Sequence, residues 1–195
     1  MVVPAAADVA DAVRDLADAA DLDAVERTLD GDTDAFASVV RRHGDGLVRL
    51  CALLVGDRPV GEELAQEALA RAYASLGSWR ADGRFRYWLY RIARNCCRDH
   101  LKAAARAEVR FELAEEPITG RDPEGDLAGR QLASALEAEI ARLPQPYREA
   151  FLLFHAENMD YQQIHAITGV SVGALKVRVH RARSMLRRRL GDALS

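Results

Sequence analysis

Apolar residues recur every three or four positions along most of this chain, a spacing that places them on one face of an α-helix. The clearest pattern begins at Asp160, whose side chain can cap a helix over residues 161–168. Gly169 follows, where the end of a helix needs a left-handed residue, and Ser171 can cap a second helix from 172 to about 190. This order of caps and breaks is typical of a helix-turn-helix.

The second of these helices is basic on the faces that its apolar residues leave open. Its apolar positions are Val172, Leu175, Val179, Ala182, Met185 and Leu186. Its basic positions are Lys176, Arg178, Arg181, Arg183, Arg187, Arg188 and Arg189, and no carboxylate interrupts them. Such a helix can bury one side and present the rest to phosphates and base edges in a major groove. The alternative is a solvated basic helix, or an arm for acidic partners.

Further amphipathic segments predict helices over 9–29, 36–43, 47–55, 61–76, 85–102, 131–143 and 147–157. The stretch between about 103 and 129 is rich in Gly, Pro and acidic residues, which predicts a flexible linker. We therefore expect an all-α protein of two small helical domains joined by a flexible linker, the C-terminal one a helix-turn-helix. The expected units are an acidic N-terminal helical extension (1–30), a first domain (31–103), the linker (104–129) and a second domain (130–195).

Charge is segregated along the chain, so the net charge of −3 averages an acidic beginning with a basic end. Ten carboxylates lie between residues 8 and 34, opposed only by Arg14 and Arg27. This asymmetry suggests a nucleic-acid surface at one end and an acidic segment that could shield it. We hypothesise that the 9–29 helix tempers DNA binding, and unchanged DNA affinity after deletion of residues 1–28 would count against this. An ordinary solvated helix is the alternative.

Composition and motifs exclude several other classes of protein. The apolar content of 49% is that of a globular chain, no apolar run is long enough to span a bilayer, and no export signal is visible, so a cytoplasmic location is expected. Three cysteines without framework spacing fit a reducing compartment. Cys97 and His100 form a C-x-x-H without a second pair, so neither a metal site nor another cofactor is expected. Without a phosphate-binding glycine loop or a paired acid and base, we expect no enzyme.

Two stretches of the chain are candidate binding surfaces. Aromatic and arginine residues alternate over 85–98, which suits unstacked bases and phosphates of single-stranded DNA, although helical spacing favours a core position for Trp88, Leu89 and Ile92. The helix over 61–76 projects a second polar cluster, which on pattern alone is an ordinary solvated face. Its members are Glu62, Glu63, Gln66 and Glu67.

Four stretches together resemble bacterial RNA polymerase sigma factors of the extracytoplasmic-function (ECF) kind. These stretches are EELAQEALARAY (62–73), FRYWLYRIARNCCRDHLK (85–102), LPQPYREAFLLF (143–154) and VGALKVRVHRAR (172–183). The last one alone is also similar to response-regulator output domains. Val60, His165 and Val177 depart from the family pattern, where an Asp, a small residue and a small polar residue are usual.

The resemblance implies an alternative sigma factor that binds core RNA polymerase, recognises the −10 and −35 promoter elements and promotes DNA opening, under the control of an anti-sigma factor. Core polymerase would be bound by Glu63, Gln66 and Glu67. The −10 element and single-stranded DNA would be bound by Phe85, Trp88, Arg91, Arg94, Asn95 and Arg98, with a loop over 77–85. The −35 element would be contacted by Ser171, Ala174, Lys176, Arg178 and Arg181.

Two alternatives of other classes remain. A stand-alone regulator would bind duplex DNA specifically without polymerase. A structural adaptor would leave the aromatic and arginine run over 85–98 without a use.

Overall fold

The computed structural model describes residues 6–80, 84–110 and 135–193, and every regular element in these ranges is helical. The α-helices are α1 (Ala6–Leu29), α2 (Phe36–Val55), α3 (Arg58–Ala74), α4 (Phe85–Arg110), α5 (135–141), α6 (Gln145–His155), α7 (Tyr161–Thr168) and α8 (Val172–Ala193). Short 3₁₀ turns span Thr33–Ala35 and Leu76–Ser78. The all-α fold class is confirmed. None of the helices described is long and apolar enough to cross a membrane.

The turn chemistry read from the sequence is present at the helix-turn-helix. Asp160 accepts hydrogen bonds from the backbone N–H groups of Gln162 (2.8 Å) and Gln163 (2.9 Å), and the Gln163 side chain accepts one from the Asp160 N–H at 2.8 Å. This reciprocal arrangement is a capping box. Gly169 ends α7 in the left-handed region, at φ 72°. The predicted helix over 161–168 is therefore confirmed.

One continuous helix, α2, replaces the two helices predicted over 36–43 and 47–55. Gly44 and Gly46 do not break it, because a glycine weakens a helix by only about 1 kcal/mol and buried neighbours offset that cost. Gly46 also has a packing role, since a Cβ there would lie 2.6 Å from the Tyr90 hydroxyl. The helix ends at Gly56, where φ is 82°.

The N-terminal helix α1 is attached to the first domain and is not an independent solvated segment. Ala24 and Val25 are buried, and the buried Asp21 carboxylate pairs with Arg42 and with His43 Nε2, 2.8 Å away. The predicted apolar stripe is only partly correct, because Leu16 is 72% exposed and Leu29 is 55% exposed. The face that α1 buries is set by its contacts with α2 and α4.

The end of α4 lies beyond the position where the linker was predicted to begin. The helix continues through Arg110, because alanine, lysine, arginine and glutamate favour helix.

 

Every residue from Lys102 to Glu108 is alanine, lysine, arginine or glutamate. Most of the predicted linker lies in residues 111–134, outside the residues described.

The N-terminal half (residues 6–110) and the C-terminal half (residues 135–193) pack on one another. Helix α4 contacts α7, α2 contacts α6, and a single apolar core continues from Val25 in α1 to Leu186 in α8. Arg148 of α6 donates a hydrogen bond from Nη1 to the Leu54 carbonyl of α2 at 2.8 Å. In this structure the two halves are therefore in direct contact.

Candidate polymerase and nucleic-acid interfaces

Helix α3 presents three candidate polymerase-binding residues on one exposed face. Gln66 and Glu67 lie three and four positions after Glu63, and all three are exposed. The opposite face of α3 packs on α2 and buries Leu64, Ala65 and Ala68. We name the three exposed residues the docking face. Its Glu67 pairs with Arg71 at 2.5 Å, an exposed contact that contributes little to stability.

An open pocket of about 310 Å³ lies between the start of α4, the segment before it and α7. Trp88 and Arg91, two of the predicted single-strand residues, line it. We name this cavity the single-strand pocket, and its other lining residues are Ser78, Trp79, Arg80, Arg84, Tyr87 and Ala166. Indole and phenol rings beside guanidinium groups provide stacking surfaces for a base and positive charge for a phosphate.

Phe85 does not take part in this surface, contrary to the sequence prediction. Its ring is 2% exposed and packs against Trp79 (centroids 5.6 Å apart) and Trp88 (5.5 Å). A buried ring is not positioned to stack on a base, so the contact of Phe85 with single-stranded DNA stays a prediction that would require this ring to become exposed. Phe85 instead supports the two tryptophans that line the pocket.

The remaining predicted single-strand residues lie further along α4 and outside the pocket lining. Arg94 pairs with the buried Glu149 of α6, and its Nη1 lies 3.4 Å from Asn95 Oδ1. Arg98 is half-buried, with its Nε 3.7 Å from an Asp99 carboxylate oxygen. The structure therefore brings Trp88 and Arg91 together and separates them from Arg94, Asn95 and Arg98.

Ser78, Trp79, Arg80 and Arg84 lie in the loop over 77–85 that the resemblance implied as part of this site, whereas Tyr87 and Ala166 were not predicted to belong to it. Trp79, Arg80 and Arg84 flank the short segment 81–83, and Tyr87 is one turn before Arg91. The dense aromatic and arginine composition of 79–91 was the available indication. Which of these side chains face a common cavity depends on how α4 packs against α7.

The candidate −35 residues lie on the surface of the helix-turn-helix, but not on one face. Ser171, Ala174, Lys176 and Arg181 are exposed and Arg178 is half-exposed. At 3.6 residues per turn, Lys176 is about 160° away from Arg178 around the α8 axis. Lys176 Nζ lies over the Tyr161 ring, 5.8 Å from its centroid, whereas Arg181 donates a hydrogen bond to the Tyr147 hydroxyl at 3.1 Å.

His165, which departs from the family pattern, does not separate the two helices of the motif. Its ring is exposed, and Nδ1 lies 2.9 Å from the Val170 carbonyl oxygen, to which an Nδ1–H donates. The side chain thus closes the turn between α7 and α8.

His155, at the end of α6, has a pKa that partial burial and the neighbouring Arg183 charge hold below its usual 6.5. Arg183 Nε donates to His155 Nε2 at 2.8 Å, which requires a neutral ring. Because the folded-state pKa is lowered, the unfolded chain takes up a proton first, and stability falls as the pH drops below 6.5.

An NMR titration of the His155 ring is expected to give a pKa below 6.5, and Arg183→Gln is expected to raise it. A midpoint above 6.5 in the wild-type chain would contradict this interpretation.

Comparison with known proteins relates both halves of the chain to one family. The family profile described as Sigma-70 region 2 matches residues 39–107, and that described as Sigma-70, region 4 matches residues 133–186. The ECF RNA polymerase sigma factor SigW of Bacillus subtilis (strain 168) is 30% identical over 178 residues, covering 86% of this chain and 95% of the relative. The ECF RNA polymerase sigma-E factor of Escherichia coli (strain K12) is 33% identical over 174 residues, covering 83% of this chain and 90% of the relative.

Solved structures show the same fold. CnrH in complex with the cytosolic domain of CnrY has a TM-score of 0.67 at 27% identity, over 90% of this chain and 99% of that one. The sigma factor RpoE in complex with the anti-sigma factor NepR from Bartonella quintana has a TM-score of 0.70 at 24% identity, over 81% and 98%.

Proposed function

Since this chain belongs to the ECF group of RNA polymerase sigma factors, which are transcription initiation factors, we propose that it divides promoter recognition among three surfaces. The docking face of α3 binds core RNA polymerase. The single-strand pocket and α4 bind the melted −10 element, and α8 reads the −35 element. The domains proposed for these roles are 31–103 and 130–195, with 1–30 as an extension and 104–129 as the connection.

The observation that best supports this division is the combination of two different DNA-binding chemistries in one chain. Aromatic rings and arginines surround a pocket of about 310 Å³, a size suited to a flipped base, while α8 offers an exposed basic helix after a capped turn. A duplex-only regulator has no use for the pocket. A sigma factor needs both, because it reads one promoter element as duplex and the other as a separated strand.

For the −10 element we propose Trp88 and Arg91 as contacts, joined by Arg84 and Tyr87 from the pocket lining. Phe85 is a supporting core residue in this proposal. Arg94, Asn95 and Arg98 lie one to two turns beyond the pocket and are proposed to contact the strand as it continues along α4. Taking a base out of the stack costs a few kcal/mol, which stacking on the exposed rings can offset.

For the −35 element we propose Ala174, Arg178 and Arg181 as the base-facing set, since they share one side of α8. Ser171 lies at the helix N-terminus, where backbone N–H groups favour a phosphate. Lys176 points to another side and is proposed to contact the backbone only. This assignment separates residues that read bases from residues that position the helix.

Arg178→Ala is expected to weaken binding to a −35 duplex by about tenfold and to relax its base preference, because a bidentate arginine contact provides about 1–3 kcal/mol of discrimination. Lys176→Ala, the matched loss of one positive charge on the same helix, is expected to weaken all duplexes equally and to reduce the salt dependence. Fluorescence anisotropy on matched and scrambled duplexes measures both. Equal, sequence-independent losses for the two variants would contradict the assignment.

The proposal also covers where the chain acts, what regulates it and whether it catalyses a reaction. We propose that the chain catalyses no covalent reaction itself and acts in the cytoplasm, where its polymerase and promoter lie. An anti-sigma factor is proposed as its regulator, supported by the shared fold with RpoE, whose solved structure contains the anti-sigma factor NepR.

Initiation in vitro tests the proposed function directly. Core RNA polymerase, a randomised DNA library and this chain are expected to yield transcripts whose start sites share two upstream motifs, found only when the chain is present. Specific duplex binding by the chain alone, without any transcript, would favour a stand-alone regulator instead.

A further inference from the structure

We propose that Val177 of α8 selects a thymine in the −35 element, by packing its side chain against the 5-methyl group that thymine presents in the major groove. The inference rests on the proposed function, because α8 must lie in that groove for the contact to form. It adds a specificity-determining residue to the −35 surface, and it names the base that this residue selects.

Val177 points away from the core of the C-terminal half. At 3.6 residues per turn it lies about 160° from Leu175 and Val179 around the α8 axis, and about 180° from Leu186. Leu175 and Val179 are each 1% exposed and Leu186 is 4% exposed, whereas Val177 is 51% exposed. The valine side chain therefore stands on the side of α8 opposite to the one that packs on the rest of the fold.

The fold itself gives no reason for an apolar residue at this position. A β-branched side chain is a weaker helix former than most polar residues, and its methyl groups remain in water here. A single exposed valine is common on protein surfaces, so exposure alone carries no conclusion. The position of Val177 among the DNA-facing residues is what gives it a role.

Its neighbours place Val177 within the proposed base-facing set. Arg181, four positions later, lies about 40° from it around the helix axis, and Ala174, three positions earlier, lies about 60° from it. Both neighbours are exposed. A base edge that approaches Ala174 and Arg181 in the groove must also pass the valine side chain between them.

Gly173 leaves room for a close approach beside Val177. It lies one turn earlier on the same side of α8, and a Cβ added to it would meet no atom within 4 Å. Packing within the protein therefore does not require the side chain to be missing. A glycine at the start of a recognition helix lets the backbone come near a partner's surface, which brings the following turn, with Val177, toward the base edges.

Thymine is the base that matches an apolar side chain in the major groove. Its C5-methyl group lies there, whereas cytosine, adenine and guanine present hydrogen-bond donors and acceptors alone. Valine can pair with none of these polar groups, so a base other than thymine would lose water at this point without a replacement bond. The exposed cations Lys176 and Arg181 beside the valine favour DNA phosphates over an apolar protein surface as the partner.

The test uses the holoenzyme of the full-length chain with core RNA polymerase. Promoters that it selects from the randomised library define the −35 element, which is expected to contain thymine. Each thymine of this element is then replaced in turn by deoxyuridine, which removes the methyl group and keeps every hydrogen-bonding atom. In competition with the labelled thymine promoter, the uracil promoter is expected to bind about fourfold more weakly at one position, the effect of one methyl group returned to water.

Val177→Ser is expected to bind the thymine and uracil promoters equally, because its hydroxyl group does not favour the methyl group. Val177→Ile stays apolar and is expected to keep the preference for thymine. The matched control is Val40→Ser on α2, where the valine is 40% exposed, and this variant is expected to keep the fourfold preference. Since the contact involves no phosphate, Val177→Ser should also keep the wild-type salt dependence of binding.

A −35 element without thymine would overturn the proposal, as would equal binding of every uracil promoter by the wild type. A Val177→Ser holoenzyme that binds all promoters more weakly but keeps the fourfold preference would also overturn it, and would point to a protein as the partner of this side chain. Initiation from selected promoters would uphold the proposed function whatever the uracil promoters do. A complete lack of initiation would contradict the proposed function and this inference together.

Discussion

The Gln66→Ala, Glu67→Arg double variant is expected to lose its association with core RNA polymerase. Both side chains are exposed on the docking face, and interface residues of this kind contribute about 2 kcal/mol or more when they are central to binding. Loss of one such contact weakens binding by about 30-fold, and a charge reversal beside it weakens binding further. Size-exclusion chromatography of the chain with core polymerase should show co-elution for the wild type only.

A matched control changes the same residue types elsewhere. Glu137→Arg with Gln162→Ala alters an exposed glutamate and an exposed glutamine outside α3, and co-elution is expected to persist. The Gln66→Ala, Glu67→Arg variant is expected to fold like the wild type, since it removes only the exposed ion pair between Glu67 and Arg71. Undiminished co-elution of the double variant would show that α3 is not the docking helix. No co-elution even of the wild type, together with specific duplex binding, would favour the stand-alone regulator.

Gly61→Ala is expected to destabilise the protein by about 3 kcal/mol, the upper end for overpacking in a core. Gly61 is buried where α3 crosses α2, and a Cβ there would lie 2.4 Å from both the backbone N and the Cα of Ala52. Backbone atoms cannot move aside as a flexible side chain can, so α3 must shift away from α2. For a chain of this size the midpoint of thermal unfolding should fall by about 6–12 °C, measured by circular dichroism.

Gly44→Ala in α2 is the matched control. A Cβ there would meet no atom within 4 Å, and the residue lies in a helix. Replacement of a helical glycine with alanine in open space is expected to raise stability by about 0.5–1 kcal/mol. If Gly61→Ala behaved like Gly44→Ala, the close crossing of α2 and α3 would be wrong. The displaced α3 should also weaken polymerase binding, because the docking face moves with the helix.

The sequence by itself determined the features that depend on neighbouring residues. The Asp160 capping box, the left-handed Gly169 and the two helices of the C-terminal motif are local, since each needs only groups within a few positions along the chain. The exposure of Glu63, Gln66 and Glu67 followed from helical spacing for the same reason. The four family-like stretches implied the sigma-factor relationship, which the comparisons confirmed.

Tertiary packing decided which residues of a helix are accessible and which charges meet. Periodicity could not place Phe85 in the core and Trp88 at the pocket, because both belong to one run of aromatic residues and differ only in what packs against them. The local pattern also broke α2 at its glycines, although contacts from α3 and α4 keep it continuous.

Long-range ion pairs were the least accessible to sequence reasoning. Arg94 pairs with Glu149, 55 positions later in the chain, and Arg86 pairs with Glu157, 71 positions later. Nothing in the local sequence relates the members of either pair. From the sequence alone, an arginine in a basic, aromatic helix is expected to be free to bind DNA, because its carboxylate partner lies far along the chain. The sequence determined the helices and their chemistry, whereas the packing of one half on the other determined which of that chemistry is exposed, because burial of a charge depends on atoms brought together only by the fold.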